Sequence, residues 1–283
     1  MERTLENSIN KALTEEDRVA AVILAIQGHS VDKKQVVVVE GDDDALFYER
    51  FLDMHNCDVI VNNSCCGYSD ISSTCNAKGY ANRYFMIKDS DFDRLQGWAL
   101  VDNQMLTDFH DRELFLSVLD VDALLGDKYG IEIDVKSIAN SIRGLSMTKW
   151  YNMANDCKLA FKKKCVVQKV YDGQGDVSVD DCIAQLADEK KNVGKQIPDK
   201  TNVTGFMDSN EGADWRQYTN GHDWLHAIAM WLNVHLNKAI SYKTDLCPYL
   251  ESIYAEDDFK GTELYTEIKR REENILADRK SVV

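Results

Sequence analysis

The amino-acid sequence predicts an α/β fold: a parallel sheet flanked by helices, followed by a mainly helical C-terminal region. Residues 15–87 alternate between helix-like and strand-like segments, an order that favours parallel strands joined by right-handed crossovers. After residue 113 the apolar residues recur mostly at helical spacing. We therefore predict two domains, with the sheet in residues 1–120 and the helical region in residues 121–283.

The predicted sheet has three strands, at residues 35–39, 58–61 and 84–87. Residues 36–39 are four consecutive valines, a run typical of a strand that is buried on both faces. Helices are predicted around these strands from the spacing of apolar residues and from capping residues. They lie at residues 15–26 (after a Thr14 cap), 45–54 and 69–77.

The C-terminal region is predicted to consist mainly of helices. They lie at residues 113–125, 135–159 (one or two helices around Gly144), 180–190, 224–236 and 262–279. A strand is predicted at residues 165–170. Residues 192–221 are rich in Gly, Asn, Asp and Thr, and this composition predicts a loop.

Composition and charge limit the functions that the chain can have. The 283 residues include 33 Lys and Arg against 48 Asp and Glu, which gives a net charge of −15. This acidity argues against a protein that coats phosphates with a broad basic face, but not against an enzyme that reaches phosphates through a metal. The polar N-terminus and the eight cysteines without a Cys-x-x-Cys pair predict a cytoplasmic protein with reduced thiols and no membrane segment.

Two acidic segments follow predicted strands. Residues 40–44 are Glu-Gly-Asp-Asp-Asp after the first strand, and residues 88–93 are Lys-Asp-Ser-Asp-Phe-Asp after the third. Ligands of open parallel sheets bind beyond the carboxyl ends of the strands, so both segments project to one edge if the strands are neighbours. Carboxylates that converge there repel one another unless a cation neutralises them, and oxygen ligands suit Mg²⁺.

Structural roles explain some of these acids equally well. Asp42 and Asp43 stand where a helix begins, so capping and the helix dipole account for at least one of them. Asp91 or Asp93 could be a turn residue. Glu40 and Asp89 differ, because each directly follows a buried strand; we therefore favour a metal site that includes both.

Two sequence strings resemble the TOPRIM fold of topoisomerases, primases and OLD-type nucleases: Val38-Val39-Glu40-Gly41-x-x-Asp44-x-x-Phe47-Tyr48 and Asp89-x-Asp91. Two further strings, Cys66-Gly67-Tyr68-Ser69-Asp70 and Thr107-Asp108-x-His110-Asp111-x-Glu113, extend the resemblance over residues 30–115. The full set is similar to a narrower group of TOPRIM proteins encoded beside ABC-type ATPases, the toxin nuclease subunits of PARIS phage-defence systems.

This resemblance implies a Mg²⁺-dependent nuclease, with Mn²⁺ as a substitute, that cleaves phosphodiester bonds. Glu40 would handle protons and help to place the metal. Asp89 and Asp91 would hold the metal, with Asp44 in support. Glu113 is a further metal candidate; as an alternative it is an ordinary acid in the first turn of a helix.

The resemblance also implies partners. An ABC-type ATPase would hold the nuclease inactive until a phage trigger releases it. The substrate would be nucleic acid, RNA rather than DNA and particularly tRNA, and the active form is expected to be a homodimer. The main alternative is a non-catalytic TOPRIM-fold subunit that serves as a sensor or docking platform for the ATPase.

Histidines and lysines supply further candidates. The string His222-Asp223-x-x-His226 has the histidine spacing of a zinc protease, and a metallohydrolase is the second alternative, although Asp replaces the usual glutamate. His110 with Asp111 resembles an HD phosphohydrolase dyad, but that fold needs further histidines upstream on helices, and His29 and His55 are not suitably placed. Residues 143–200 carry 11 Lys and Arg against 8 acids. Within them, Lys162, Lys163 and Lys164 either contact nucleic acid or lie on a solvated helix end.

Overall fold

The computed structural model describes residues 14–63, 67–161 and 166–281, without the side chains of residues 274–281. The chain divides into two compact units. The first unit contains Met1–Asp89, Ala99–Asp108 and Glu256–Val283, and the second contains Ser90–Trp98 and Phe109–Ala255. The sequence analysis predicted two domains divided at residue 120. These units differ from that division because Glu256–Val283 belongs to the first unit.

The first unit is built on a sheet of four parallel strands in the order β2-β1-β3-β4. The strands are β1 (Gln35–Val39), β2 (Cys57–Val61), β3 (Tyr84–Lys88) and β4 (Gln104–Leu106). Helices flank the sheet, so the prediction of an α/β fold with a parallel sheet is confirmed. The sequence did not predict β4, because three residues are too few to show a strand pattern.

The first unit has five described helices: Glu15–Gly28, Asp42–Tyr48, Tyr68–Ala77, Glu256–Lys260 and Glu263–Ser281. Thr14 caps the first helix, as predicted, by accepting the N–H of Asp17. The helix predicted at residues 45–54 begins earlier, because the three aspartates at 42–44 form its first turn. It also ends earlier than predicted, at Tyr48.

The core of the first unit lies against β1 and β3. The valines of β1 are completely buried, as expected for a strand covered on both faces. One face of the sheet packs against the first and third helices of the unit. The residues in this cluster are Val22, Ile26, Val36, Val38, Tyr68, Ile71, Cys75, Tyr84 and Met86.

Every regular element described in the second unit is helical. The α-helices are Asp93–Gln96, Val121–Tyr129, Val135–Ser141, Arg143–Ala154, Val167–Val170, Val179–Asp188, Lys200–Ser209, Trp215–Tyr218, Gly221–Leu236 and Cys247–Ile253. Two 3₁₀ segments, Arg112–Val118 and Lys190–Asn192, and a π-helical turn, Tyr242–Leu246, complete the set. The core includes Phe92, Met147, Trp150 and Tyr218.

Three sequence predictions for this region were wrong. The strand predicted at residues 165–170 contains a helical turn at Val167–Val170. The loop predicted at residues 192–221 contains two helices, because Asp199 and Asp214 are their N-caps rather than loop residues. The helix predicted at residues 113–125 is a 3₁₀ segment and a separate α-helix that Asp120 caps.

The described cysteines at 57, 75, 157, 182 and 247 are free thiols. Burial raises the pKa of Cys57 and of Cys182 to about 12, so neither is a thiolate nucleophile near neutral pH. Across the parts of the chain that the structure describes, no helix has the length and apolar character needed to cross a membrane.

Candidate functional site

The carboxyl edge of the sheet brings together the residues that follow β1 and β3. The two strands are parallel neighbours, and Val38 pairs with Met86. Glu40 and Asp89 therefore leave the sheet at the same edge, as the sequence predicted. The Oε1 atom of Glu40 accepts a hydrogen bond of 3.1 Å from the backbone N–H of Asp89. This bond fixes the Glu40 carboxylate beside the end of β3.

The aspartates after Glu40 form the first turn of the helix Asp42–Tyr48. The Oδ2 atom of Asp44 accepts the backbone N–H of Gly41 at 2.9 Å. Asp44 thus stabilises the turn between Glu40 and the helix, which is a structural role for a residue predicted to support the metal. Asp42 and Asp43 are exposed in the same turn, where negative charge complements the helix dipole.

The chemistry of this edge suits a hard divalent cation. Glu40, Asp44 and Asp89 offer carboxylate oxygens, and Mg²⁺ is commonly bound by one or two carboxylates together with substrate phosphate. Among the residues that the structure describes, no group of three or more His, Cys, Asp or Glu side chains is arranged to hold a metal ion. Within the described ranges, this edge therefore supplies carboxylates but not a formed metal centre.

Asp91 and Asp93 belong to the second unit. The φ of Asp91 is +44°, in the left-handed region that few residues other than glycine adopt. Its N–H donates a hydrogen bond of 2.6 Å to the carbonyl oxygen of His110, which holds this conformation. Asp93 is buried and begins the short helix Asp93–Gln96, in line with the turn role considered for it.

Four consecutive polar or charged residues, His110, Asp111, Arg112 and Glu113, are buried in the second unit. The Oδ2 atom of Asp111 accepts the N–H of Gly221 at 2.6 Å and lies 3.4 Å from Nδ1 of His110. Burial, the largest influence, acts to raise the pKa of Asp111, but the His110 imidazole and the Gly221 N–H stabilise the carboxylate, and the pKa is lowered.

Glu113 lies in a network of ion pairs. Its Oε1 atom is 2.7 Å from Nη2 of Arg112, whose Nη1 is 2.5 Å from Oε1 of Glu251. Burial raises the pKa of Glu113, while the charge of Arg112 acts in the opposite direction. Glu113 lies in the first turn of the 3₁₀ segment Arg112–Val118, as the alternative held, but it is buried and ion-paired. Its ion pair with Arg112 also gives its carboxylate a partner other than a metal.

The string Gly221-His222-Asp223 lies beside this buried segment. A Cβ atom on Gly221 would stand 2.3 Å from Oδ1 of Asp111 and 2.6 Å from Cβ of Glu113, so only glycine allows the approach. The Nε2 atom of His222 is 3.6 Å from Oε1 of Glu113. Sequence reasoning missed Gly221 as a site residue, because no local pattern connects it with residues 110–113, which are distant in the sequence.

The two histidines of the proposed zinc motif face different partners. Nε2 of His222 faces Glu113, whereas Nε2 of His226 is 2.8 Å from the side-chain amide of Gln168. Burial lowers the pKa of His226, which favours the neutral imidazole. Asp223, between them, is ion-paired with Lys149. This arrangement gives no support to a metallohydrolase.

Asp108 and His110, which belong to the string at residues 107–113, have structural roles. Asp108, in the same string as His110, accepts the N–H groups of Glu263 and Leu264 at 2.6 and 2.9 Å and so caps the last helix of the first unit. The ring of His110 packs edge-on against Phe92, with 4.8 Å between centroids. Lys162, Lys163 and Lys164 lie outside the described residues.

No protein-family model, curated protein or solved structure matches this chain.

Proposed function

We propose that this chain is a metal-dependent nuclease that hydrolyses phosphodiester bonds in nucleic acid, RNA in preference to DNA. Glu40 and Asp89 are its central residues, with Asp91, two residues downstream of Asp89, as a further metal ligand and Asp44 in support. The proposal combines the resemblance of the sequence to TOPRIM nucleases with the geometry of the sheet edge.

One observation carries the proposal: Glu40 and Asp89 stand at the ends of adjacent parallel strands, joined by the hydrogen bond from the Asp89 N–H to Glu40 Oε1. The carboxyl edge of an open parallel sheet is the usual ligand site of such folds. Each of these two carboxylates directly follows a strand, whereas Asp42 to Asp44 form the first turn of a helix.

The chemistry assigned to each residue follows from its position. A bound divalent cation neutralises charge on the phosphate and lowers the pKa of water. Asp89 and Asp91 are the proposed ligands on the loop after β3. The Glu40 carboxylate is fixed against the backbone of Asp89, so it can take up a proton from the attacking water at a defined position. Asp44 holds the turn that sets the direction of Glu40.

The proposal is tested by incubating the purified chain with total RNA and with plasmid DNA in the presence of Mg²⁺, Mn²⁺ or EDTA. We expect cleavage of RNA with either cation and none in EDTA. Cleavage of plasmid DNA but not of RNA would support a metal-dependent nuclease whose substrate is DNA. Cleavage that persists in EDTA, or no cleavage under any condition, would contradict the proposal, and the second result would favour the docking subunit.

The proposed regulation by a partner needs a separate experiment. An ABC-type ATPase is the expected partner, and the sequence resemblance alone supports it. Co-expression of the tagged chain with an ATPase encoded beside it should yield a complex in which RNA cleavage is suppressed. Two results together would argue against such control. The tagged chain would purify without the ATPase, and it would cleave RNA at the same rate whether it was expressed alone or together with the ATPase. Light scattering of the free chain tests the expected homodimer.

A further inference from the structure

The second unit contains a cavity of about 1030 Å³ that is separate from the sheet edge. Every described residue that lines it belongs to this unit. Its walls include parts of the helices Val121–Tyr129, Val135–Ser141, Arg143–Ala154 and Trp215–Tyr218. Sites for small molecules are usually clefts of about 300–1,000 Å³ with a few polar groups that fix the ligand. The size of this cavity suits a small molecule, and its lining indicates the chemical class.

The cavity contains an arginine that is suited to bind an anion. Arg143 is half-buried, and its Nη2 atom donates a hydrogen bond of 3.1 Å to the carbonyl oxygen of Met207. Its guanidinium also interacts with the Tyr218 hydroxyl. Both of these partners are neutral, whereas Arg216, in the same lining, forms an ion pair of 2.7 Å with Asp214. An anion would compensate the charge of the half-buried Arg143 and accept its parallel N–H groups.

Lys136 adds a second cation to the lining. It is exposed and lies on the helix Val135–Ser141, which precedes the helix that carries Arg143. An arginine supplies a rigid fork of donors, and a lysine supplies a charge on a flexible stem. Both kinds of side chain bind phosphate groups in proteins. The two cations therefore favour a phosphate among the possible anions.

An aromatic ring forms another part of the lining. Trp215 is half-buried, and its ring centroid lies 5.6 Å from that of Trp224. Trp224 is completely buried, and its Nε1 atom donates a hydrogen bond of 3.4 Å to the carbonyl oxygen of Val135. The indole of Trp215 is thus supported by the core and remains partly accessible. Nucleobases of any identity stack on aromatic side chains of this kind.

Carboxylates in the lining limit the charge that a ligand can carry. Among the described lining residues three are cations and five are acids, namely Asp120, Asp122, Asp176, Glu211 and Asp214. Asp120 and Asp122 accept the backbone N–H groups of Ala123 and Val135, and Asp176 and Glu211 are exposed. This excess of negative charge repels a triphosphate or a chain of phosphates more strongly than a single phosphate. Carboxylates also accept hydrogen bonds from ribose hydroxyls.

We infer that this cavity binds a nucleoside monophosphate. Arg143 and Lys136 bind the phosphate, Trp215 stacks on the base, and the exposed carboxylates accept the ribose hydroxyls. A nucleoside without phosphate would leave the two cations unused, and a sugar phosphate would leave the indole unused. The inference does not depend on the metal site proposed at Glu40 and Asp89, because the cavity lies wholly within the second unit.

Isothermal titration calorimetry of the purified chain tests this inference. The ligands are the four nucleoside 5′-monophosphates, with adenosine and ribose 5-phosphate as the two halves of AMP, and ATP and a short single-stranded RNA as more highly charged competitors. All titrations contain EDTA, so that neither binding through a divalent cation nor metal-dependent cleavage contributes. We expect one molecule of AMP per chain, bound more tightly than either half, than ATP and than the RNA.

Variants assign the parts of the ligand to the residues. Arg143→Gln should weaken the binding of AMP and of ribose 5-phosphate about 10- to 100-fold and leave that of adenosine unchanged. Trp215→Leu should weaken the binding of AMP and of adenosine about 5- to 100-fold and leave that of ribose 5-phosphate unchanged. The urea midpoint of each variant shows whether it folds.

A pair of exposed lysines supplies a matched control. Lys136→Gln should weaken AMP binding about 2- to 5-fold. Lys169→Gln removes the same charge from an exposed position in the same unit, outside the described lining, and should leave AMP binding unchanged. If Arg143→Gln or Trp215→Leu fails to fold, this pair still decides the question, because neither lysine is buried.

Four results would overturn the inference. They are no binding of any monophosphate up to about 1 mM, equal affinities for AMP and adenosine, equal effects of the two lysine variants, and binding of the RNA without binding of the monophosphates. RNA cleavage is not part of the readout. A chain that binds AMP but cleaves no RNA with Mg²⁺ would therefore keep the nucleotide site and lose the proposed nuclease, and the reverse result would do the opposite.

Discussion

Replacing Gly221 with alanine tests whether the helix Gly221–Leu236 is docked on the buried carboxylates as the structure shows. The added Cβ would stand 2.3 Å from Oδ1 of Asp111 and 2.6 Å from Cβ of Glu113. Asp111 cannot turn away without cost, because it is 2% exposed and its Oδ2 holds the Gly221 N–H. The Cβ of Glu113 belongs to the 3₁₀ segment and moves only with its backbone.

The expected loss of stability has two parts. Overpacking of a buried site costs about 1–3 kcal/mol. Loss of the hydrogen bond to the Asp111 carboxylate costs about 1.5–3 kcal/mol, since the acceptor is charged and buried. The helix propensity of alanine returns up to about 1 kcal/mol. We therefore expect Gly221→Ala to lower the free energy of unfolding of the second unit by about 2–5 kcal/mol.

Urea unfolding followed by tryptophan fluorescence measures this change directly. All five tryptophans lie in the second unit, so the signal reports that unit alone. Gly205→Ala is the matched control, because Gly205 is an exposed helical glycine with no atom within 4 Å of an added Cβ. The control should gain up to about 1 kcal/mol. Equal stabilities of Gly221→Ala and the unaltered chain would refute the docking geometry.

Three further predictions concern the first unit, which contains no tryptophan and is followed by circular dichroism. Phe259 is completely buried and stacks on Phe51 at 4.9 Å between centroids, so Phe259→Ala should cost about 3–5 kcal/mol in urea unfolding; a loss below 1 kcal/mol would contradict that packing. Asp108→Ala removes the cap of the last helix and should cost about 0.5–2 kcal/mol, with an unchanged urea midpoint as the contrary result. Hydrogen bonds to Asp58 and then Asp32 raise the pKa of His29 above its usual 6.5. The contribution of His29 to the free energy of unfolding is complete below about pH 6.5 and is lost as the pH rises through the raised pKa. The difference in stability between the unaltered chain and His29→Gln should therefore shrink as the pH rises from about 6.5 through that pKa. A difference that grows with pH would show that His29 is not stabilised in its charged form.

The sheet and its acidic edge could be predicted from sequence because their signals are local. Four consecutive valines specify a strand buried on both faces, and Glu40 directly after them breaks that apolar pattern. The same holds for Asp89 after the apolar residues of β3. The sequence argument was conditional on the two strands being neighbours, and the structure shows that they are.

The buried polar run and its contact with the helix Gly221–Leu236 could not be predicted in the same way. Gly221 is 110 residues from Asp111 in the sequence, and no local pattern around either residue indicates a contact with the other. Burial of Arg112 and Glu113 depends on their ion pairs, including the one to Glu251, and charged residues are exposed by default. Sequence reasoning therefore treated Glu113 and His222 as separate candidates, whereas the structure places them in one cluster.

The helices within residues 192–221 were missed for a different reason. Asp and Asn are favoured both in loops and at the first position before a helix, since their side chains accept backbone N–H groups in each case. Asp199 and Asp214 do the latter, accepting the N–H groups of Asn202 and Arg216. Composition alone does not separate the two uses.

The central claim is that Glu40 at the end of β1 carries out metal-dependent cleavage, and one comparison tests it most directly. Glu40→Gln and Asp43→Asn each remove one charge from the same acidic segment. Asp43 is exposed in the first helical turn, whereas Glu40 accepts a hydrogen bond from the backbone N–H of Asp89. With Mg²⁺ and a labelled RNA, we predict that Glu40→Gln lowers the cleavage rate about 100-fold or more and that Asp43→Asn leaves it nearly unchanged. Equal rates for the two variants would contradict the account.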